Sequence, residues 1–366
     1  MPIPFIVGGV ALAAAALGAK KGYDGYQDKN LADEIIANAQ QRYKGEKGRL
    51  DKINEEVSPV LEDLGKLELK IGLDFEKFDR LVKELQKEGN FQNTSINIPK
   101  HQLDKIKDVA ISATDYMKTV IGGGVTGAAT GFAVYGGVMA LGAASTGTPI
   151  AALSGAAAYN ATMAAIGGGS LAAGGWGMAG GAMVLGGAVL APVLAVAGIA
   201  YAIHGSKALE NARDVRDKVD DAVDKMHKAR NQLSKMQDYA HRIQFALEDI
   251  YQVFQDYFTL LERVNDIIKQ CSDKEERTKK IEEIDKDVKI WISNGVALAA
   301  IMANIISTPL FKVKKDDKGV VLVDGDGNPQ IQTDQDGMQI LDKEGIESAL
   351  AGADKTFVEF KKAQSV

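Results

Sequence analysis

The sequence predicts a mainly α fold: long antiparallel amphipathic helices flank a Gly/Ala-rich apolar helical hairpin, with a small C-terminal β-meander. Three observations predict it. Apolar residues recur at alternating three- and four-residue spacings through two long charged stretches, as they do along the buried stripe of a helix. Between those stretches, Thr119 to Ile203 contains no Asp, Glu, Lys or Arg. Beyond residue 309 the pattern changes to short alternating runs broken by glycine turns, the pattern of strands and hairpins. The chain therefore divides into an N-terminal apolar segment (1–28), a first helical arm (29–118), the Gly/Ala-rich hairpin (119–205), a second arm with an apolar helix (206–308), and the meander with a terminal helix (309–366).

The first segment holds the apolar run Phe5 to Ala19, followed by Lys20 and Lys21. Its lysines lie on the C-terminal side of the run and no basic residue precedes it, which argues against an export signal and keeps the following chain on the cytoplasmic side. In the first arm the stripe reads Leu50, Ile53, Val57, Val60, Leu64, Leu67, Ile71, Phe75, Phe78, Val82 and Leu85. Pro59 should kink this helix, and Gly89 to Pro99 should end it. The second arm repeats the pattern through Val215, Val219, Val223 and Met226, then from Leu233 and Met236 through Ala240, Ile243, Leu247, Ile250, Phe254, Tyr257, Leu261, Val264 and Ile268 to Cys271. Two such helices are expected to pair antiparallel, each hiding the stripe the other exposes. Ile290 to Ile306 is a further apolar helix, interrupted by Ser293, Asn294 and Asn304, and burial among the other helices suits it better than membrane insertion. In the tail, Lys318-Gly319, Asp326-Gly327 and Asp336-Gly337 mark the expected turns, and Lys343 to Lys362 forms a helix with Ile346, Leu350 and Phe357 inward.

The uncharged block is roughly 85 residues long, several times the ~20 that one membrane-spanning helix needs. A soluble helix carries charge on its wet face, so this length must be enclosed in protein or placed in lipid. Ala and Gly dominate it, and more than half of the 39 glycines fall between Gly122 and Gly205. Gly123, Gly127 and Gly131 stand four apart, and Gly177 and Gly181 repeat the spacing. Small residues at that spacing let helix backbones approach closely in a bilayer, so these five glycines are the candidate packing residues. An even number of crossings leaves both helical arms on one side of the membrane.

The 46% hydrophobic content of the 366 residues is ample for a core. A net charge of −6, with Lys and Arg interspersed among Asp and Glu, lacks the basic stripe that phosphate neutralisation needs, which excludes nucleic acid as a partner. A single cysteine, Cys271, excludes an internal disulfide, and His101, His204, His227 and His241 make no zinc spacing. No phosphate-binding glycine loop of the GxxxxGK type and no HExxH motif occurs. Asp324, Asp326 and Asn328 copy the start of a calcium loop, but Pro329 stands at the turn glycine and Gln335 at the bidentate acid. No catalytic, cofactor or metal residues are expected, and the chain reads as a non-enzyme.

The stretch SGAAAYNATMAAIGGGSLAAGGWGMAGGAMVLGGAVLAPVLAVAG (Ser154 to Gly198), the N-terminal VGGVALAAAALGAKKGYDGYQD and LEDLGKLELKIG (Leu61 to Gly72) resemble a group of poorly characterised bacterial glycine-zipper proteins. In layout the chain is also similar to α-helical pore formers of the cytolysin A type and to apolipoprotein L-like proteins, an architectural likeness without a diagnostic motif. The expected function is insertion of the Gly/Ala-rich hairpin into a bilayer, as a tether or as an oligomeric membrane-perturbing effector. The alternative is a soluble or stably embedded coiled-coil scaffold for partner proteins. The partners implied are the lipid bilayer and either further copies of the chain or a helical protein. The implied location is the cytoplasmic side of the inner membrane, with a soluble cytoplasmic form beside it.

Overall fold

The computed structural model describes residues 21–89, 99–119, 132–133, 208–271, 273–317, 319–322, 330–335 and 339–364. Among these are five helices: α1 (Lys21–Gly89), α2 (Lys100–Thr119), α3 (Ala208–Gln270), α4 (Lys274–Ile306) and α5 (Lys343–Gln364). The N-terminal apolar run, nearly all of the uncharged block and the Asp326-Gly327 and Asp336-Gly337 turns lie outside the described residues.

Local chemistry sets the helix ends. α1 runs for 69 residues through Pro59 without ending there; in the turn before, the Ser58 hydroxyl donates to the Asn54 carbonyl at 2.8 Å. It stops at Gly89, and α2 begins directly after Pro99, whose carbonyl accepts from the Gln102 and Leu103 N–H groups. Asp273 caps α4 by accepting from the Glu276 N–H at 3.1 Å, satisfying one of the donors that a helix start leaves open. At the other end the Ser307 N–H returns to the Ala303 carbonyl at 2.9 Å, and Pro309 prevents continuation.

The chain forms two compact units, Met1–Lys47 with Leu190–Asp224, and Gly48–Val189 with Lys225–Val366. In the first, Ala39 and half-buried Tyr43 of α1 pack on Val215, Val219 and Val223 of α3, beside an exposed 2.6 Å ion pair between Arg42 and Asp220.

In the second unit, α1 and α3 lie side by side and run parallel. Tyr251 and Gln255 of α3 reach Asp74 of α1, while Asn265 and Lys269 reach Glu84. Partners therefore advance together along both helices. This corrects the antiparallel pairing expected from the stripes. Short connections force neighbouring helices to run antiparallel, but residues 90–207 separate α1 from α3 and impose no such return. The layers that match are aromatic: Phe75 meets Phe254 edge-on at 5.9 Å, and Phe78 lies 5.1 Å from Phe254 and 5.9 Å from Phe258. α5 also runs parallel to α3, with Arg242 gripping Glu347 through two hydrogen bonds and Tyr257 reaching Gln364.

Two glycines bring the other helices close. A Cβ at Gly295 of α4 would lie 2.5 Å from the Phe78 ring, and one at Gly72 of α1 would lie 2.5 Å from the Ala113 Cβ of α2. α2 also packs on α4, where the Lys105 ammonium donates to the Asn304 side chain at 2.8 Å. The apolar half of α4 supplies Ile292, Leu298, Met302, Ile305 and Ile306 to the core, and α5 supplies Ile346, Leu350 and Phe357, as the sequence predicts for both helices.

The expected C-terminal β-meander is not supported: no strand occurs among the described residues. Instead there are isolated antiparallel bridges: Phe311 with Leu341, Val313 with Ile331, Lys315 with Val321, and Thr333 with Gln339. The segment 311–315 changes partner at every second residue, so no two segments accumulate the consecutive pairs that make a ladder. The alternation itself survives as burial, because Phe311, Val313, Val321, Ile331 and Leu341 all join the core.

Candidate functional site

The α1–α3 seam carries the least ordinary chemistry among the described residues. Followed strictly in threes and fours, the α1 stripe runs back from Ile71 through Glu68, Leu64, Leu61, Val57 and Asn54 to Leu50, and all are buried. Selecting only apolar residues gives Leu67, Val60 and Ile53 at those turns; these lie half-buried at the edge of the core. A carboxylic acid and an amide thus occupy positions of a coiled-coil seam that apolar side chains normally fill.

Glu68 is only 4% exposed. It lies one heptad before Phe75, as Leu247 lies one heptad before Phe254. Its Oε2 has no hydrogen-bond partner among the described residues. Burial alone pushes this carboxyl well above the usual carboxylate range, because removal from water penalises the charged form.

Two turns later the seam is polar again, and there the carboxylate is satisfied. Asp74 accepts from the Tyr251 hydroxyl at 2.5 Å and the Gln255 amide at 3.0 Å on one oxygen, and from Lys77 at 2.7 Å on the other. Burial, and then the hydrogen bond to Asp74, push the Tyr251 phenol up, while the Lys70 ammonium lies 5.1 Å from its ring centre. Further along, Glu84 accepts from Asn265 at 3.1 Å and pairs with Lys269 at 2.8 Å. The hydrogen bonds to Lys269 and Asn265 hold its carboxyl below the usual range. These groups tie α1 to α3 in one direction and one register. Among the described residues, no three His, Cys, Asp or Glu side chains converge to hold a metal ion.

Gly123, Gly127, Gly131, Gly177 and Gly181 lie outside the described residues. Of the uncharged block, Thr119 ends α2, and Phe132 and Ala133 are helical and buried. Phe132 packs edge-on against Tyr116 of α2 at 5.3 Å. Among the described residues one helical stretch, Glu275–Ile306, is long and apolar enough to cross a membrane, and 61% of its most apolar window is buried inside the protein.

The composition of the block is legible in the sequence, but Glu68 and Asp74 are not singled out by any motif. Unbroken three–four counting, with no preference for apolar residues, would have reached Glu68. No protein family matches the chain, and comparisons with curated proteins and with solved structures find no match.

Proposed function

We propose that this is a non-enzymatic, membrane-associated helical protein whose Gly/Ala-rich segment enters a bilayer, as a tether or as an oligomeric membrane-perturbing element. The observation that carries this reading is the absence of any Asp, Glu, Lys or Arg from Thr119 to Ile203. Most of the apolar window of α4 is already committed to the protein core, which leaves the uncharged block as the stronger candidate for lipid. Because α1 and α3 share one core, both flanks of the block stand on the same side of the membrane, and it crosses an even number of times. With this topology the helices form a body on the cytoplasmic face of an inner membrane, and Gly123, Gly127, Gly131, Gly177 and Gly181 mediate close helix packing between copies or within the hairpin.

The test is carbonate and then detergent extraction of membranes from cells expressing the untagged chain. Recovery only in detergent supports integral insertion; full release by carbonate overturns it. A vesicle-leakage assay separates tether from effector. If the effector reading holds, Gly127→Leu abolishes leakage while the helical content of the protein stays unchanged, and undiminished leakage refutes close packing at that face.

Burial of Phe132 against Tyr116 favours a second reading, in which the block is sheathed by the helices and the chain acts as a soluble scaffold for partner proteins. Quantitative recovery from the soluble fraction under every condition would select it.

A further inference from the structure

An acid without a hydrogen-bond partner on one oxygen, in the middle of an apolar helix seam, costs stability that a leucine there would not. Its neighbours along the seam are Leu64 and Ile71 on α1 and Ile243, Leu247 and Ile250 on α3, all apolar. The titratable groups flanking this layer face solvent or have other partners. On α3, Glu248 and Asp249 are exposed and the Tyr251 hydroxyl is bonded to Asp74; on α1, Lys66 pairs with Glu62 and Asp63 and Lys70 lies over the Tyr251 ring. On α2, which meets α1 at Gly72 through Val109 and Ala113, the described ones around that contact are Tyr116, packed on Phe132, half-buried Asp108, exposed Asp104 and Lys107, and Lys105, which donates to Asn304. None of these is a cation bonded to Glu68.

We propose that Glu68 makes the α1–α3 pairing a proton-linked clasp, closed while the carboxyl is uncharged and loosened when it ionises. The raised affinity of Glu68 for its proton in the packed state fixes the sign. The packed seam holds the proton to a higher pH than the separated helices do. Stability from this group is therefore fully present below the ordinary glutamate range and is lost as pH rises through the raised value. The proton leaves to solvent, and no cation among the described residues is bonded to the charge left behind. Loosening exposes the apolar stripes of α1 and α3 where both are otherwise continuous. The clasp does not depend on entry of the Gly/Ala segment into a membrane.

The test is backbone hydrogen exchange on the full chain between pH 5 and 9, corrected for intrinsic rates, for the wild type and Glu68→Gln. In the wild type, protection of segments 61–75 and 240–254 should fall with pH, approaching tenfold per unit across the titration, as the linkage of one proton requires. Gln keeps the shape without the charge, so its protection in those segments should not follow this fall. Parallel pH profiles for the two proteins overturn the proposal. Glu68→Leu provides a second variant should the amide disturb folding: protection equal to or above that of the wild type and insensitive to pH is expected. Weaker protection than the wild type at pH 8 would make the carboxyl a structural requirement and refute the clasp.

Discussion

Replacing Gly72 with alanine tests how closely α1 and α2 approach. On a free helix surface the change should help by ~1 kcal/mol, since glycine is a poor helix former. Here the new Cβ would lie 2.5 Å from the Ala113 Cβ and 3.2 Å from the Val109 carbonyl oxygen, against an ordinary carbon–carbon contact of about 3.5–4.0 Å. Neither neighbour is the end of a flexible chain, so the helices themselves must separate by about 1 Å. Overpacking of this kind costs about 1–3 kcal/mol, and the close contact puts Gly72→Ala toward the upper end. The net expectation is a loss of about 1–2 kcal/mol after the propensity gain, read as a lower urea midpoint. Adding Ala113→Gly removes the methyl that the new one strikes and should restore most of the loss. Gly352→Ala, where nothing stands within 4 Å of the added carbon, should instead stabilise by roughly 0.5–1 kcal/mol. A Gly72→Ala protein as stable as the wild type, or a double variant no better than the single one, refutes close packing at this point.

Phe254→Ala, which empties the layer shared with Phe75, Phe78 and Phe258, should cost about 3–5 kcal/mol in chemical denaturation. Tyr251→Phe removes a donor from Asp74 and should cost about 1–3 kcal/mol at neutral pH. The Tyr251 phenol is raised in the folded state, so its contribution is lost as pH climbs above the ordinary tyrosine range of about 10. The alkaline arm of the stability profile should therefore be shallower in Tyr251→Phe. Asp273→Ala should cost about 1 kcal/mol through the lost N-cap of α4, measurable as faster amide exchange over the first turn of that helix.

The elements that are legible in the sequence are those that depend on period alone. Val57, Leu64, Ile71, Phe75, Phe78, Val82 and Leu85 on α1, and Met236 to Ile268 on α3 except half-buried Tyr257, whose turn buries Phe258 instead, are buried where three–four spacing places them, because a helix stripe needs no knowledge of its partner. Direction is another matter. An apolar stripe hides equally well against a parallel or an antiparallel neighbour, and the choice rests on pairs such as Asp74 with Tyr251 and Glu84 with Asn265, which become partners only once the register exists. Glu68 escaped because Leu67 offers an apolar residue one position away, and a reading guided by hydropathy steps onto it. The tail illustrates a further limit: alternation at Phe311, Val313 and Val321 reports which side chains point inward, but not whether successive pairs go to the same neighbour.

The parallel course of α1 and α3 shapes how the molecule is made. Tyr251 follows Asp74 by 177 residues, so at ~5–20 residues per second the partner stretch of α3 leaves the ribosome roughly 10–40 s after α1 has emerged. Throughout that interval Phe254 and Phe258, the described ring partners of Phe75 and Phe78, have yet to emerge, and another nascent α1 offers the same apolar stripe. Contacts this distant in sequence also form slowly in the isolated chain, because the intervening loop must close before any layer is rewarded. Assembly speed and its dependence on chain concentration, more than final stability, are where this arrangement makes its demands.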